Sequence, residues 1–246
     1  MYHSDSLPYY SFGSRLLRLT SPYTRGTDVS VLQKLLNYFK DPLGLTPLSE
    51  DGVFGPKTES AVIKFQQYFK ISVDGIVGPQ TYWYLGQPVG KYAPGRIFGS
   101  RTLKRGSRNT DVWILQNRLN AKAKKYAIAL GGPADGNFGP KTETAVKLFQ
   151  SDSGIGVDGI VGPETFNQLF VNTFMGGRNL QRNSGGTDVY ALQQKLLSLS
   201  YNPGPLDGKF GPRTEAAVIQ FQRDSGIAAD GIAGPQTYYK LGIRGT

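Results

Sequence analysis

Asp51, Asp74, Asp135, Asp158, Asp207 and Asp230 each open the same eight-residue frame, Asp-Gly-x-x-Gly-Pro-x-Thr, first met as DGVFGPKT at 51–58. A carboxylate beside a glycine-rich turn could serve a metal ion or a phosphate. The metal reading fails on ligand count. A calcium loop needs several oxygen side chains at alternate positions, and each frame supplies one Asp before apolar or basic residues. Phosphate cradling is weak, because no Gly-Lys-Ser/Thr follows the glycines. The default reading is a turn: glycine permits positive φ, aspartate bonds nearby backbone N–H groups, and proline starts a helix.

Other chemistries are bounded by what the chain lacks. It has no cysteine, which excludes disulfides, thiolate metal sites and a cysteine nucleophile. Its one histidine, His3, lies in a polar N-terminal tail, so neither a zinc site of two or three imidazoles nor a serine triad can be assembled. No metal and no cofactor is expected. Glu50, Asp51, Glu59, Glu143, Glu164 and Glu215 could in principle supply a glycosidase pair. Most of them fall on turns or first helical turns, where interaction with the helix dipole is reason enough for them. The net charge of +10 attracts polyanions and, with 14 tyrosines and 13 phenylalanines, motivates a nucleic-acid binder as the alternative reading. Against it, the cations are spread among carboxylates and no helix carries a long basic stripe. No run of 18 apolar residues exists to span a membrane, and the first residues lack the apolar stretch of a secretory signal.

The frames fall in three pairs, 51 with 74, 135 with 158 and 207 with 230, which divides the chain into modules of about 70 residues. Upstream of each pair stands Thr-Asp-Val followed by Leu-Gln, beginning at Thr27, Thr110 and Thr187. We read it as the start of a first helix, with threonine as N-cap and aspartate facing the positive end of the dipole. Val29, Leu32, Leu36 and Phe39 follow at helical spacing. A second helix starts at each first Gly-Pro and buries Ala61, Val62 and Phe65 or their counterparts; Gly154 and Gly226 are its stops, and Lys70 stands at that position in module 1. A short third helix starts at Pro79, Pro163 and Pro235 and closes on Leu85, Leu169 and Leu241. FGSR at 12–15 and 98–101 and MGGR at 175–178 read as extended lead-ins to the first helix. Gly86–Gly95 reads as a spacer, whereas few residues separate modules 2 and 3, which should form the more rigid pair.

The succession Gly-x-Asp-Val-x-x-Leu-Gln, then Asp-Gly-x-Phe-Gly-Pro-x-Thr-x-x-Ala-Val-x-x-Phe-Gln, then Val-Asp-Gly-Ile-Val-Gly-Pro-x-Thr resembles the peptidoglycan-binding type 1 module. The resemblance implies an all-α chain of three tandem three-helix modules, at 12–86, 98–170 and 175–246. It implies non-catalytic, multivalent binding of cell-wall or spore-cortex peptidoglycan, by glycan strands or stem peptides, with teichoic acid as a further anionic target, and a place at the wall, the spore or outside the cell. Such modules commonly accompany amidases, peptidases and other wall hydrolases. Candidate contacts are the amides of Gln33, Gln66, Gln116, Gln150, Gln193 and Gln222, the aromatics Tyr82, Trp83, Phe166, Tyr238 and Tyr239, and the cations Arg25, Arg105 and Arg108. Each has a plain alternative: the glutamines could tie the following loop to the bundle, the aromatics could be core, and the arginines could be a solvated face. Nothing in the sequence speaks to oligomeric state.

Overall fold

The computed structural model describes residues 7–10, 12–86, 98–172 and 174–244. The chain falls into two compact units, Met1–Ser100 and Arg101–Thr246. Most of the spacer expected at Gly86–Gly95 lies outside the described residues.

The first unit contains α1 (Thr27–Tyr38), α2 (Lys40–Leu43), α3 (Pro56–Phe69) and α4 (Pro79–Tyr84). The second contains two modules. One is built of α5 (Thr110–Lys122), α6 (Lys124–Leu130), α7 (Pro140–Asp152) and α8 (Pro163–Asn172), the other of α9 (Thr187–Ser198), α10 (Pro212–Asp224) and α11 (Pro235–Arg244). The all-α expectation holds, with additions. Modules 1 and 2 insert a short extra helix after the first, and α8 and α11 run on past Leu169 and Leu241 instead of closing on them.

Every Gly-Pro frame does start a helix: Pro56, Pro140, Pro212, Pro79, Pro163 and Pro235 are all first helical residues. The threonine N-cap does not hold. Thr27, Thr110 and Thr187 are already helical, and the capping positions are Gly26, Asn109 and Gly186. Only Asn109 caps with its side chain, accepting from the Val112 N–H at 3.1 Å. Gly154 and Gly226 take left-handed φ of 67° and 66° just beyond their helices, and in module 1 Lys70 takes the same conformation at 55° without glycine's freedom.

The lead-in segments are pinned at both ends. Leu17 pairs with Val77, Leu103 with Val161 and Leu180 with Ala233, one residue pair each, in antiparallel fashion. Nearer the helix, Arg25 pairs with Val53, Arg108 with Asn137 and Gly185 with Lys209. One strap thus crosses the second turn and then the first turn of its module. Beneath it lies an apolar core of Val29, Leu32, Leu36, Phe54, Val62 and Phe65, repeated in the other modules and removed from water. Each such aromatic or branched side chain contributes roughly 1.5–3 kcal/mol by burial.

Arg15, Arg101 and Arg178, which end the FGSR and MGGR segments, fasten the strap to the first helix. Their Nε atoms lie 2.7, 2.6 and 2.7 Å from Oδ2 of Asp28, Asp111 and Asp188. Arg178 and Asp188 are both buried, and Arg178 also donates to the Gly185 carbonyl at 2.7 Å. Burial pushes the Asp28 carboxyl above its ordinary value even though Arg15 and the Val29 N–H oppose it.

Modules 2 and 3 share a seam. Helix α11 packs on α5 and α6. The contact is so close that a Cβ added at Gly242 would lie 1.7 Å from the Asn120 carbonyl oxygen. Gly242→Ala should therefore destabilise the second unit by about 1–3 kcal/mol despite alanine's better helix propensity. Hydrogen exchange should quicken in α5 and α11 and stay unchanged in α1 and α3.

Candidate functional site

The six glutamines all do the same thing. Gln33, Gln116 and Gln193 reach from the first helix to the first turn; Gln66, Gln150 and Gln222 reach from the second helix to the second turn. Each Nε2 donates to Oδ1 of the frame's aspartate at 2.8–3.0 Å. It also faces a turn carbonyl and the frame threonine's hydroxyl, as Gln66 faces Ile76 O and Thr81 Oγ1. Each Oε1 accepts from the frame glycine's N–H at 2.8–2.9 Å. The frame is thereby explained residue by residue. Aspartate receives the amide and the N–H two positions on, as with Val53 at 2.9 Å. Glycine accommodates positive φ, 68° at Gly52, so that its N–H can face the amide oxygen.

All six glutamines are buried and their donors are spent inside the fold, so of the two readings the structure supports the tie and gives a ligand no amide to meet. The core aromatics are likewise withdrawn. Tyr82, Phe166 and Tyr238 are fully buried, with the Tyr82 and Tyr238 hydroxyls donating to the Arg15 and Arg178 carbonyls at 2.8 and 2.6 Å. Their neighbours Trp83 and Tyr239 keep solvent access. Arg25 is half-buried. Arg105 is exposed and paired to Glu143 at 3.1 Å, as Arg182 is to Glu215 in module 3. Arg108 is exposed beside the first turn of module 2.

What remains open is a recess against that first turn. In module 2 it has a volume of about 400 Å³, between Leu130, Pro133, Pro140 and Lys141, with Gln116 and Thr142 at its base. In module 3 a recess of about 400 Å³ lies at the same position, between Pro203, Pro205, Pro212 and Arg213 over Gln193 and Thr214. Sequence reasoning missed this surface, although a basic residue fills the x of Gly-Pro-x-Thr in every first turn (Lys57, Lys141, Arg213) and in no second turn. Among the described residues no three His, Cys, Asp or Glu side chains come close enough to hold a metal ion.

The family model described as "Putative peptidoglycan binding domain" matches the chain three times, at residues 25–83, 108–169 and 185–241. The chain belongs to this family. Its three copies contain all six tied turns and both recesses. The N-acetylmuramoyl-L-alanine amidase CwlM of Mycobacterium tuberculosis is 40% identical over 109 residues, covering 42% of this chain and 27% of that protein. The N-acetylmuramoyl-L-alanine amidase CwlL of Bacillus licheniformis is 30% identical over 200 residues, covering 70% of this chain and 53% of that protein. An autolytic lysozyme of Clostridium acetobutylicum is 31% identical over 228 residues, covering 88% of this chain and 64% of that one. The chain thus spans between about a quarter and two thirds of the length of these relatives.

Two outcomes follow from the ties. Gln150→Leu would leave the Gly159 N–H buried without the amide oxygen, at a cost of about 1–3 kcal/mol, read as a drop in thermal midpoint. In NMR carboxyl titrations Asp158 should titrate below the ordinary aspartate value, held down first by the Ile160 N–H and then by Gln150. At Asp135 burial acts upward but is outweighed by the Asn137 N–H and Gln116, so it too should titrate low, while Asp28 titrates high. Because the folded values of Asp135 and Asp158 are depressed, the stability they contribute is present above about pH 4 and lost as pH falls through their folded values.

Proposed function

We propose that this chain is a multivalent binder of peptidoglycan that holds the wall without cleaving it, gripping ligand in the first-turn recesses of its modules. The observation that carries the reading is the recurrence of one recess at matching positions of modules 2 and 3, each with a cation on its lip and apolar proline walls. Peptidoglycan offers sugar faces, N-acetyl groups and stem-peptide carboxylates. Lys141 and Arg213 suit the carboxylates, and the proline and leucine walls suit the methyl groups and ring faces. Trp83 and Tyr239 add half-open aromatic surface on the third helices. Anionic teichoic chains would meet the same cations.

The absence of cleavage is proposed on the disposition of the carboxylates. Glu143 is tied to Arg105 and Lys147, Glu215 to Arg182, and the frame aspartates to their glutamines. Relatives named as amidases and a lysozyme are longer than the matched stretch, and their names fit a wall setting for this chain. Linked weak sites on a repeating polymer gain through effective concentration, on the order of mM for a short connection, so the whole chain should exceed a single site by ~100-fold or more.

Co-sedimentation with purified sacculi, with and without teichoic acid, tests this. The chain should pellet with both, release no dye from labelled sacculi, and bind less as salt rises. Lys141→Ala combined with Arg213→Ala should weaken retention about ten-fold or more, as expected for loss of charged hydrogen bonds. Unchanged retention by the double variant would remove the recesses from the site, and dye release would end the non-catalytic reading.

A further inference from the structure

The first-turn recesses of modules 2 and 3 each hold two opposite charges that do not pair with each other. Asp135 lines the module 2 recess together with Lys141, and Asp207 lines the module 3 recess together with Arg213. Neither aspartate forms an ion pair with the cation that shares its recess.

Both members of each pair are held in place. The aspartate is fixed by one oxygen. Its Oδ1 accepts from the tying glutamine and from the N–H two residues on, at 2.9 and 2.8 Å for Asp135 and at 3.0 and 2.9 Å for Asp207. Asp135 stays ionised, because the upward push of burial is outweighed by the Asn137 N–H and Gln116. The cation lies back over a left-handed glycine. A Cβ at Gly131, with φ 71°, would lie 3.1 Å from Lys141 Nζ, and one at Gly204, with φ 83°, would lie 3.0 Å from Arg213 Cδ. Gly131 follows α6, whereas Gly204 stands between two prolines, so different local structures seat the cation in the same way.

The pairing belongs to the first turns alone. Their frames read Asp-Gly-x-Phe-Gly-Pro-Lys/Arg-Thr, whereas the second turns put Gln80, Glu164 or Gln236 in place of the cation. All six aspartates are tied by glutamines in the same manner, so the turn itself gives no reason for a cation beside three of them. A ligand that needs both charges does.

We propose that each of these recesses binds a small unit carrying both a free ammonium and a free carboxylate, the ammonium on Asp135 or Asp207 and the carboxylate on Lys141 or Arg213. Charge-assisted hydrogen bonds at both ends fix its direction, and a volume of about 400 Å³ leaves room for the chain that carries it. The aspartate also discriminates, because a purely anionic ligand gains the cation but meets a fixed carboxylate beside it. On the peptidoglycan reading, which this proposal rests on, the unit is the end of a stem-peptide diamino acid whose amine is not spent in a cross-link. A cross-link turns that ammonium into a neutral amide, so the modules would sort the wall by its unlinked stems.

The test is an amide-shift titration of the full chain with three probes. They are a stem tripeptide ending in diaminopimelate with its amine free, the same peptide N-acetylated there, and the same peptide N-methylated there, which adds bulk and keeps the charge. The free and methylated peptides should shift Asp135, Asn137 and Lys141 in module 2 and Asp207, Lys209 and Arg213 in module 3, and the acetylated one should bind about ten-fold more weakly. Asp135→Asn with Asp207→Asn keeps an Oδ1 acceptor for each tie and removes the charge. It should bring the free peptide down to the level of the acetylated one. Equal affinity of the unaltered chain for the free and acetylated peptides, or the same loss on methylation as on acetylation, would overturn the proposal without recourse to any variant. Free alanine binding as tightly as the stem peptide would overturn the wall assignment. Acetylating the amines of purified sacculi should lower retention at least as much. Retention that ignores acetylation would sink the zwitterion site and leave the peptidoglycan reading standing, whereas peptide binding without sacculus retention would sink that reading and leave the site.

Discussion

A buried amide must find partners for two donors and an acceptor, and that requirement, met six times over, holds this fold together. Each glutamine is placed by a helix and consumed by a turn, so helix and turn cannot move apart without stranding polar groups out of water. The turn in turn sets the register of everything attached to it. Its proline begins the next helix, its carbonyl pairs with the strap, and its threonine closes the ring of hydrogen bonds. Small bundles of short helices have little apolar core per residue, and polar closure of this kind supplies the specificity that packing alone would leave loose.

The strap is the second dependency. It crosses both turns of its module and is locked by the arginine–aspartate pair at the head of the first helix. The lock tightens from module 1 to module 3: Arg15 keeps part of its side chain in water, while Arg178 and Asp188 lose nearly all contact with it. The aromatic slot behind the strap follows a different order, a tyrosine bonded to the strap carbonyl in modules 1 and 3 and a phenylalanine in module 2.

Much of this was readable before any coordinates. Proline after glycine marked six helix starts because the ring has one φ and no N–H to lose. The helix heads were misread by one position: the cap is the residue before Thr-Asp-Val, Gly26, Asn109 or Gly186. The glutamines were ambiguous for a physical reason: their partners lie between 8 and 26 positions away along the chain, and nothing local distinguishes a tie from a recognition group. The aromatic slot was better marked than it was read. A position that accepts both tyrosine and phenylalanine does not need a hydroxyl for its main task, and that task is filling the core. The recesses are different in kind. They arise where chain segments do not cover one another, and periodicity carries no record of that.

The seam at Gly242 has a mechanical meaning. Asn117 and Asn120 carry polar atoms buried near it without partners, a cost of the seated state that the close packing of α11 on α5 and α6 has to outweigh. In this seated arrangement the recesses of modules 2 and 3 stand at one set interval, like marks on a ruler. In the binding proposed above, a lattice whose repeats match that interval would take the second hold after the first with little entropy lost.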